Sequence, residues 1–284
     1  MALSSLIMAA SGACAAGALL SGITAPYGRY AEQHAGLARA YSCGLPLLPA
    51  RLAWLLQECP SFLTALYMVM ARGMALPSAL ATPRGFLAAL FLAHYFNRGF
   101  IYPLRITGGK PTPLGICAMA FAFCLWNGAN MGAYLSADAP PGEPAELLQP
   151  RFLCGALLFF AGMGINLEAD HILRTLRAPG ETGYKVPMGG AFSWVSGANF
   201  FGECLEWAGF ALAAYRPTSG LTLPLLSTLN SIPGLHLLLC PPVAFALFTW
   251  LNIGPRALQH HANYQKMFKG AYPKDRKALI PGIL

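Results

Sequence analysis

Seven long apolar runs decide what this chain can fold into. They cover about residues 2–22, 52–71, 85–102, 113–135, 152–167, 191–214 and 221–253 of a 284-residue sequence. A bilayer core about 30 Å thick is crossed by about 20 apolar residues wound into a helix, because hydrocarbon offers no water to a broken backbone. Composition agrees: 56% of the residues are hydrophobic and 11% charged, against about 25% charged in an ordinary soluble domain. The expected fold is an all-α integral membrane protein with seven transmembrane helices, a single polytopic domain over residues 1–284. The fifth run is short but continues as an amphipathic pattern through Ile172 and Leu176. The seventh is long and interrupted by Pro224, Pro233, Pro241 and Pro242. It reads as an approach segment followed by one spanning helix, kinked at the prolines.

Lys and Arg are retained on the cytoplasmic side of a membrane protein. Of nineteen such residues, fifteen fall after the first, third, fifth and seventh runs, and only Arg72, Arg84, Arg151 and Arg216 fall on the other side. The N-terminus is therefore expected outside or in a lumen, and the C-terminus in the cytoplasm. The membrane would be the endoplasmic reticulum in a eukaryote and the inner membrane in a bacterium. The net charge of +8 is mostly this asymmetry, so it gives no reason to invoke nucleic acid. The first run has no Lys or Arg at its head, unlike a secretory signal. Eight scattered cysteines without a Cys-x-x-Cys pair indicate neither a disulfide framework nor a zinc site. No Gly-x-Gly-x-x-Gly follows a strand-like run, which excludes the soluble dinucleotide fold.

An ionisable side chain in hydrocarbon costs roughly 3 kcal/mol or more, so each one is a functional-site candidate that needs a partner. Gln57 and Glu58 lie a few residues into the second run, and His94, Tyr95 and Arg98 lie in the third, with Tyr102 one turn on. Asn199, Glu203 and Glu206 in the sixth run are spaced i, i+4, i+7 and share a helix face. After the fifth run, Asn166, Asp170, Arg174 and Arg177 again follow helical spacing, then Tyr184 and Lys185; beyond the last run come Arg256, His260, His261 and Tyr264. Each group has a plain structural reading as well. A glutamate near a helix end snorkels to the interface, tyrosines form aromatic belts, and polar residues hold helices together. Together the stripes converge toward the cytoplasmic half and suggest a large polar cavity open to the cytoplasm.

Six ordered strings resemble the steroid 5-alpha-reductases. They begin at Leu48 (through Trp54, Gln57, Glu58 and Pro60 to Phe62), at His94 (His94-Tyr95-Phe96-Asn97-Arg98), at Gly162 (Gly162-Met163-Gly164-Ile165-Asn166), at Leu176 (to Glu181), at Ser196 (to Trp207) and at Tyr272 (to Pro281). The resemblance runs from about Pro46 to the end. It implies seven membrane helices, NADPH as hydride donor, and reduction of the alkene conjugated to the ketone of 3-oxo-delta-4 steroids. It makes Glu58 and Tyr95 the pair that holds the substrate ketone, with Trp54 and Gln57 lining the steroid pocket. It carries cofactor binding onto Asn166, Asp170, Arg177, Tyr184, Asn199, Phe200, Glu203, Arg256, His260 and Tyr264, with Arg174 in the same basic cluster. Lys110 and Lys185 stand where the animal enzymes carry arginine, and lysine makes a point-charge contact instead of a fork.

The chemistry fits those residue types. Hydride addition to the β carbon of an enone throws negative charge onto the ketone oxygen, which needs donors aimed at it. A carboxyl kept neutral by an apolar setting can donate there together with a tyrosine hydroxyl. The substrate expected is a steroid or steroid-like lipid arriving from the membrane, with no obligate protein partner. The rival readings are a related membrane reductase of a polyprenol or an enoyl thioester, a membrane methyltransferase, and a transporter or lipid-binding protein whose polar stripe is a permeation path.

Overall fold

The computed structural model describes residues 2–22, 35–42, 44–75, 79–138, 142–178, 180–181, 183–215 and 235–284. Its helices are α1 (Ala2–Leu20), the short α2 (Ala35–Ser42), α3 (Ala50–Ala71), α4 (Pro83–Phe96), α5 (Leu114–Ala133), α6 (Pro150–Thr175), α7 (Ala198–Ala214) and α8 (Pro241–Phe268). Proline marks where several of them start. Its fixed φ suits the first turn, where its missing N–H is not needed. Pro83 follows Thr82, whose hydroxyl caps α4 by accepting from the Gly85 N–H at 3.2 Å. Pro150 opens α6 and Pro241 with Pro242 opens α8. This corrects the expected kink: the two prolines begin the helix. Pro224, Pro233 and the stretch up to residue 234 lie outside the described residues. The helix also runs on past the expected end of the apolar run at residue 253, so Arg256, His260 and Tyr264 sit on α8 at i, i+4, i+8 and not in a tail beyond it.

Among the described residues there is no β ladder, only two isolated bridges, Leu48 with Thr112 and Val195 with Lys277. Four helices are long and apolar enough to cross a bilayer: Ala2–Leu20, Ala50–Ala71, Leu114–Ser136 and Pro150–Thr175. The other expected spans are shorter or more polar. Helix α7 has 17 residues, α4 has 14 before it changes form, and α8 carries its basic residues in its second half. Leu3, Leu63, Tyr67, Leu125, Leu157 and Phe160 are exposed, the apolar exterior that a membrane protein presents to lipid.

Contacts group the chain into two compact units, Met1–Ser21 with Gln149–Leu284, and Gly22–Leu148. In lipid the hydrophobic effect does not drive helices together, so close backbone approach and interhelical hydrogen bonds must do so. In the first unit this seam is α6 on α7. Gly155 and Gly162 face Gly202 and Gly209, and a Cβ on Gly202 would lie 2.5 Å from the Asn166 nitrogen. Helix α1 meets α8 in the same way, Gly12 against Phe248, and the Gln259 amide donates to the Leu19 carbonyl at 2.7 Å. In the second unit the seam is α3 on α5, where Gly128 and Gly132 meet Ser61 and Ala65. The Ser61 hydroxyl donates across it to the Cys124 carbonyl at 2.9 Å.

Candidate active site and cofactor site

The second unit gathers Trp54, Gln57, Glu58 and Tyr95. Trp54, Gln57 and Glu58 are half-buried on α3. Pro60 follows within the same helix and removes the hydrogen bond that the Leu56 carbonyl would otherwise accept, one turn earlier. Helix α4 ends in a π turn, Asn97–Ile101, and resumes as one α turn, Tyr102–Arg105. Such turns are frequent at functional sites because they re-aim side chains. A Cβ on Gly99 within it would lie 3.0 Å from Cys59 Cα, so the turn rests directly on α3 beside Glu58. Arg98, from the same turn, has its guanidinium carbon 5.0 Å from the ring centres of both Trp54 and Tyr102.

Tyr95 is 4% exposed and lies between Phe91 and His94, with ring centres 4.8 and 5.0 Å away. Its hydroxyl oxygen accepts a hydrogen bond from Asn127 Nδ2 of α5 at 2.9 Å. One turn earlier on α5, Cys124 Sγ donates to Glu58 Oε2 at 3.9 Å. Asn127 and Cys124 were not singled out by the sequence reading. The signal was present, since a carboxamide in an apolar run has the same need for a partner as the charged groups that were singled out.

The first unit gathers most of the expected cofactor residues. Asn166 and Asp170 are buried on α6, and Asn166 Nδ2 donates to the Asn199 carbonyl of α7 at 2.9 Å. Asn199, Phe200 and Glu203 follow half-buried on α7, and Glu206, the last of that stripe, is fully buried. Phe200 meets His260 of α8 edge-on at 5.5 Å. Arg256 donates to Asn252 Oδ1 at 3.1 Å. Tyr264 is buried and stacks on Tyr272 at 5.7 Å with the rings 8° apart.

After α6 come the basic residues. Arg174 lies 2.9 Å from His171 Nδ1, and Arg177 donates to the Gly183 carbonyl at 3.3 Å. Lys185 pairs with Glu181 at 2.6 Å on the surface. That bond, with one from the Ala178 N–H, holds the Glu181 carboxyl below its usual range. Tyr184 is exposed beside them. Lys110 belongs instead to the second unit, between the π-turned end of α4 and α5, two residues before the bridge of Thr112 to Leu48.

The C-terminal segment is tied into the first unit by groups of which the sequence reading had named His261 but not the roles of Ser196, Tyr272 and Arg276. Ser196 Oγ lies 2.6 Å from both His261 Nδ1 and the Tyr272 hydroxyl. Arg276 is 3% exposed, donates to the Pro187 carbonyl at 3.0 Å and lies 5.2 Å from the Tyr272 ring centre. Burial, with Arg276 and Lys277 nearby, pushes the His261 imidazole below its usual value. In residue type, the first unit suits a phosphorylated dinucleotide: guanidinium and ammonium groups for phosphates, carboxylate and carboxamide for ribose and amide, and rings for stacking.

A family model described as 3-oxo-5-alpha-steroid 4-dehydrogenase matches residues 110–231 and 234–284. The 3-oxo-5-alpha-steroid 4-dehydrogenase 1 of Rattus norvegicus is 43% identical over 93% of this chain and 88% of its own length. The 3-oxo-5-alpha-steroid 4-dehydrogenase 2 of the same species is 43% identical over 93% and 90%. The chain belongs to the 3-oxo-5-alpha-steroid 4-dehydrogenase family. The human 3-oxo-5-alpha-steroid 4-dehydrogenase 1 adds 42% identity over 82% of the chain. The protein is accordingly an oxidoreductase, in keeping with a nicotinamide cofactor, and its apolar helices fit a membrane enzyme.

Proposed function

We propose that this protein reduces the delta-4 double bond of 3-oxo-delta-4 steroids to 5-alpha-3-oxosteroids, using NADPH. The observation that carries the reading is the family match over residues 110–231 and 234–284, because every cofactor residue from Lys110 to Tyr264 falls inside it. Asn166, Asp170, Asn199, Phe200, Glu203, Arg256, His260 and Tyr264 would hold the cofactor body, and Arg174, Arg177, Tyr184, Lys185 and Lys110 its phosphates and outer ring. NADPH would supply the hydride to the β carbon of the enone. Glu58 and Tyr95 hold the ketone oxygen, which receives the displaced electron pair, and donate to it as the enolate forms. The enolate then takes a proton from solvent at its α carbon, so that one hydride and one proton saturate the double bond. Trp54 and Gln57 line the steroid side, and Arg98 fixes the Trp54 ring by lying over it. The whole chain acts as one polytopic domain with seven spans and a cytoplasmic C-terminus, taking its substrate from the lipid and needing no obligate protein partner. The host membrane is the endoplasmic reticulum or a bacterial inner membrane.

Donation to the oxyanion matters more in the transition state than in substrate binding. Tyr95→Phe removes one donor while keeping the ring, a change that costs on the order of a hundredfold in turnover at such sites. Glu58→Gln keeps an amide donor and is milder than Glu58→Ala. Single-turnover hydride transfer from NADPH to a 3-oxo-delta-4 steroid, in folded and cofactor-loaded variants, is the measurement. Parental rates in both Tyr95→Phe and Glu58→Ala would place the ketone elsewhere.

A further inference from the structure

We infer that Asn127 is a positioning residue for the Tyr95 hydroxyl. The inference rests on the proposed role of Tyr95 as a donor to the ketone. A phenol oxygen carries one proton and accepts through its lone pairs. Asn127 Nδ2, donating at 2.9 Å, occupies the acceptor side of that oxygen. The tyrosine proton is thereby directed toward an acceptor other than the carboxamide. The opposite arrangement, a carbonyl or carboxylate at residue 127, would take the proton itself and leave the ketone with one donor fewer.

Asn127 is held where this geometry is reproducible. It is fully buried and its Oδ1 has no hydrogen-bond partner among the described residues, so the bond to Tyr95 is the contact that fixes its amide. Gly128, the next residue, comes so close to α3 that a Cβ there would lie 2.7 Å from the Ser61 carbonyl oxygen, and a Cβ on Gly132 would lie 2.7 Å from Met68 Cβ and 3.0 Å from Ala65 Cα. The backbone carrying Asn127 is thus pressed onto α3 without an intervening side chain. Cys124, three residues before Asn127 and so on the same face of α5, reaches Glu58 Oε2. One face of a mostly apolar helix, which also carries the buried Asn130, thus reaches both members of the pair, through Cys124 to Glu58 and through Asn127 to Tyr95.

The test uses the full chain, loaded with NADPH, and reads single-turnover hydride transfer to a 3-oxo-delta-4 steroid. Asn127→Asp is close to isosteric and, once ionised, can only accept; read at a pH that ionises it, transfer slows about as much as in Tyr95→Phe, on the order of a hundredfold. Asn127→Leu removes the bond without capturing the proton and slows transfer less, with the KM for steroid nearly unchanged. In a Tyr95→Phe background neither change has a further effect, because the hydroxyl they act on is gone. Should the aspartate variant fail to fold, the leucine variant and its Tyr95→Phe double mutant carry the same comparison. Parental transfer in both Asn127 variants, with Tyr95→Phe slow, overturns this inference and leaves the proposed site standing. An equal loss from Asn127→Leu in both backgrounds also overturns it, by showing that the residue only packs. Parental transfer in Tyr95→Phe itself removes the site and the inference together.

Discussion

The contact between α6 and α7 makes a quantitative claim, because two single-methyl changes on that pair should move stability in opposite directions. In Gly202→Ala the new Cβ would lie 2.5 Å from the Asn166 nitrogen and 2.7 Å from the Gly162 oxygen. Carbon contacts are comfortable at about 3.5 to 4 Å, so the helices must part by roughly 1 Å. The obstacles are backbone atoms that cannot rotate away. Overpacking of this kind costs about 1 to 3 kcal/mol. The same shift stretches the 2.9 Å bond from Asn166 to the Asn199 carbonyl, worth about 0.5 to 1.5 kcal/mol. Removing a glycine from a helix interior returns about 0.5 to 1 kcal/mol, so a net loss of about 2 kcal/mol remains. Gly164 is the control. It lies on α6 with nothing within 4 Å of its Cβ direction, and Gly164→Ala keeps only the favourable helix contribution. Thermal unfolding of both variants in one detergent should give Gly202→Ala a lower midpoint than parent and Gly164→Ala an equal or higher one. Because Asn166, Asp170, Asn199 and Glu203 ride on the two helices, Gly202→Ala should also weaken NADPH binding. Equal midpoints for the two variants would refute the direct backbone contact.

Arg177→Ala should weaken NADPH by about 1.5 to 3 kcal/mol, the worth of a hydrogen bond to a charged group, as read by titration of the purified protein; an unchanged affinity would remove Arg177 from the phosphate site. His261 predicts a pH effect. Its pKa is lowered in the fold, so as pH falls below about 6.5 the unfolded chain binds the proton first and stability drops, while above that value the contribution is fully present. The unfolding midpoint should therefore fall on acidification through that window, and His261→Gln should flatten the fall; equal slopes for parent and variant would show that another group is responsible.

Much of this was legible in the chain. The apolar runs gave α1, α3, α5 and α6 nearly to their ends, since a membrane helix must satisfy its own backbone over a fixed thickness. Helical spacing put Asn166 with Asp170 on one face and Asn199 with Glu203 on another; that the two helices meet is seen only in the structure, where Asn166 donates to the Asn199 carbonyl. The end of α8 was misread for a physical reason. Hydropathy falls after residue 253 and Gly254 and Pro255 stand at that point, signals that read as a helix end, but the helix continues through both to Phe268. Pro241 and Pro242 were misread because a proline is a kink within a helix and an opening residue at its first turn, and position in the run does not say which. The π turn after Phe96 had no sequence signal that periodicity could find, because one inserted residue looks like noise in a 3.6 repeat.

The two units solve the same problem with the same device, and this links packing to chemistry. Each has a seam where glycines let two backbones touch, Gly128 and Gly132 on α5 against α3, and Gly155 and Gly162 on α6 against Gly202 and Gly209 on α7. Each places a buried asparagine of the glycine-bearing helix in a hydrogen bond to a neighbouring helix, Asn127 to Tyr95 and Asn166 to Asn199. A glycine seam alone leaves a helix able to slide or rotate, because apolar contacts are not directional. A carboxamide bond fixes rotation and register at once, at a strength of about 0.6 kcal/mol on average between membrane helices. So small an energy contributes little to holding the fold together. Under the proposed function, its effect would be to hold a side chain within the few tenths of an ångström that a developing oxyanion or a bound dinucleotide requires. On this argument, substitutions of Asn127 and Asn166 disturb function well before they disturb stability, whereas glycine substitutions in the seams disturb both.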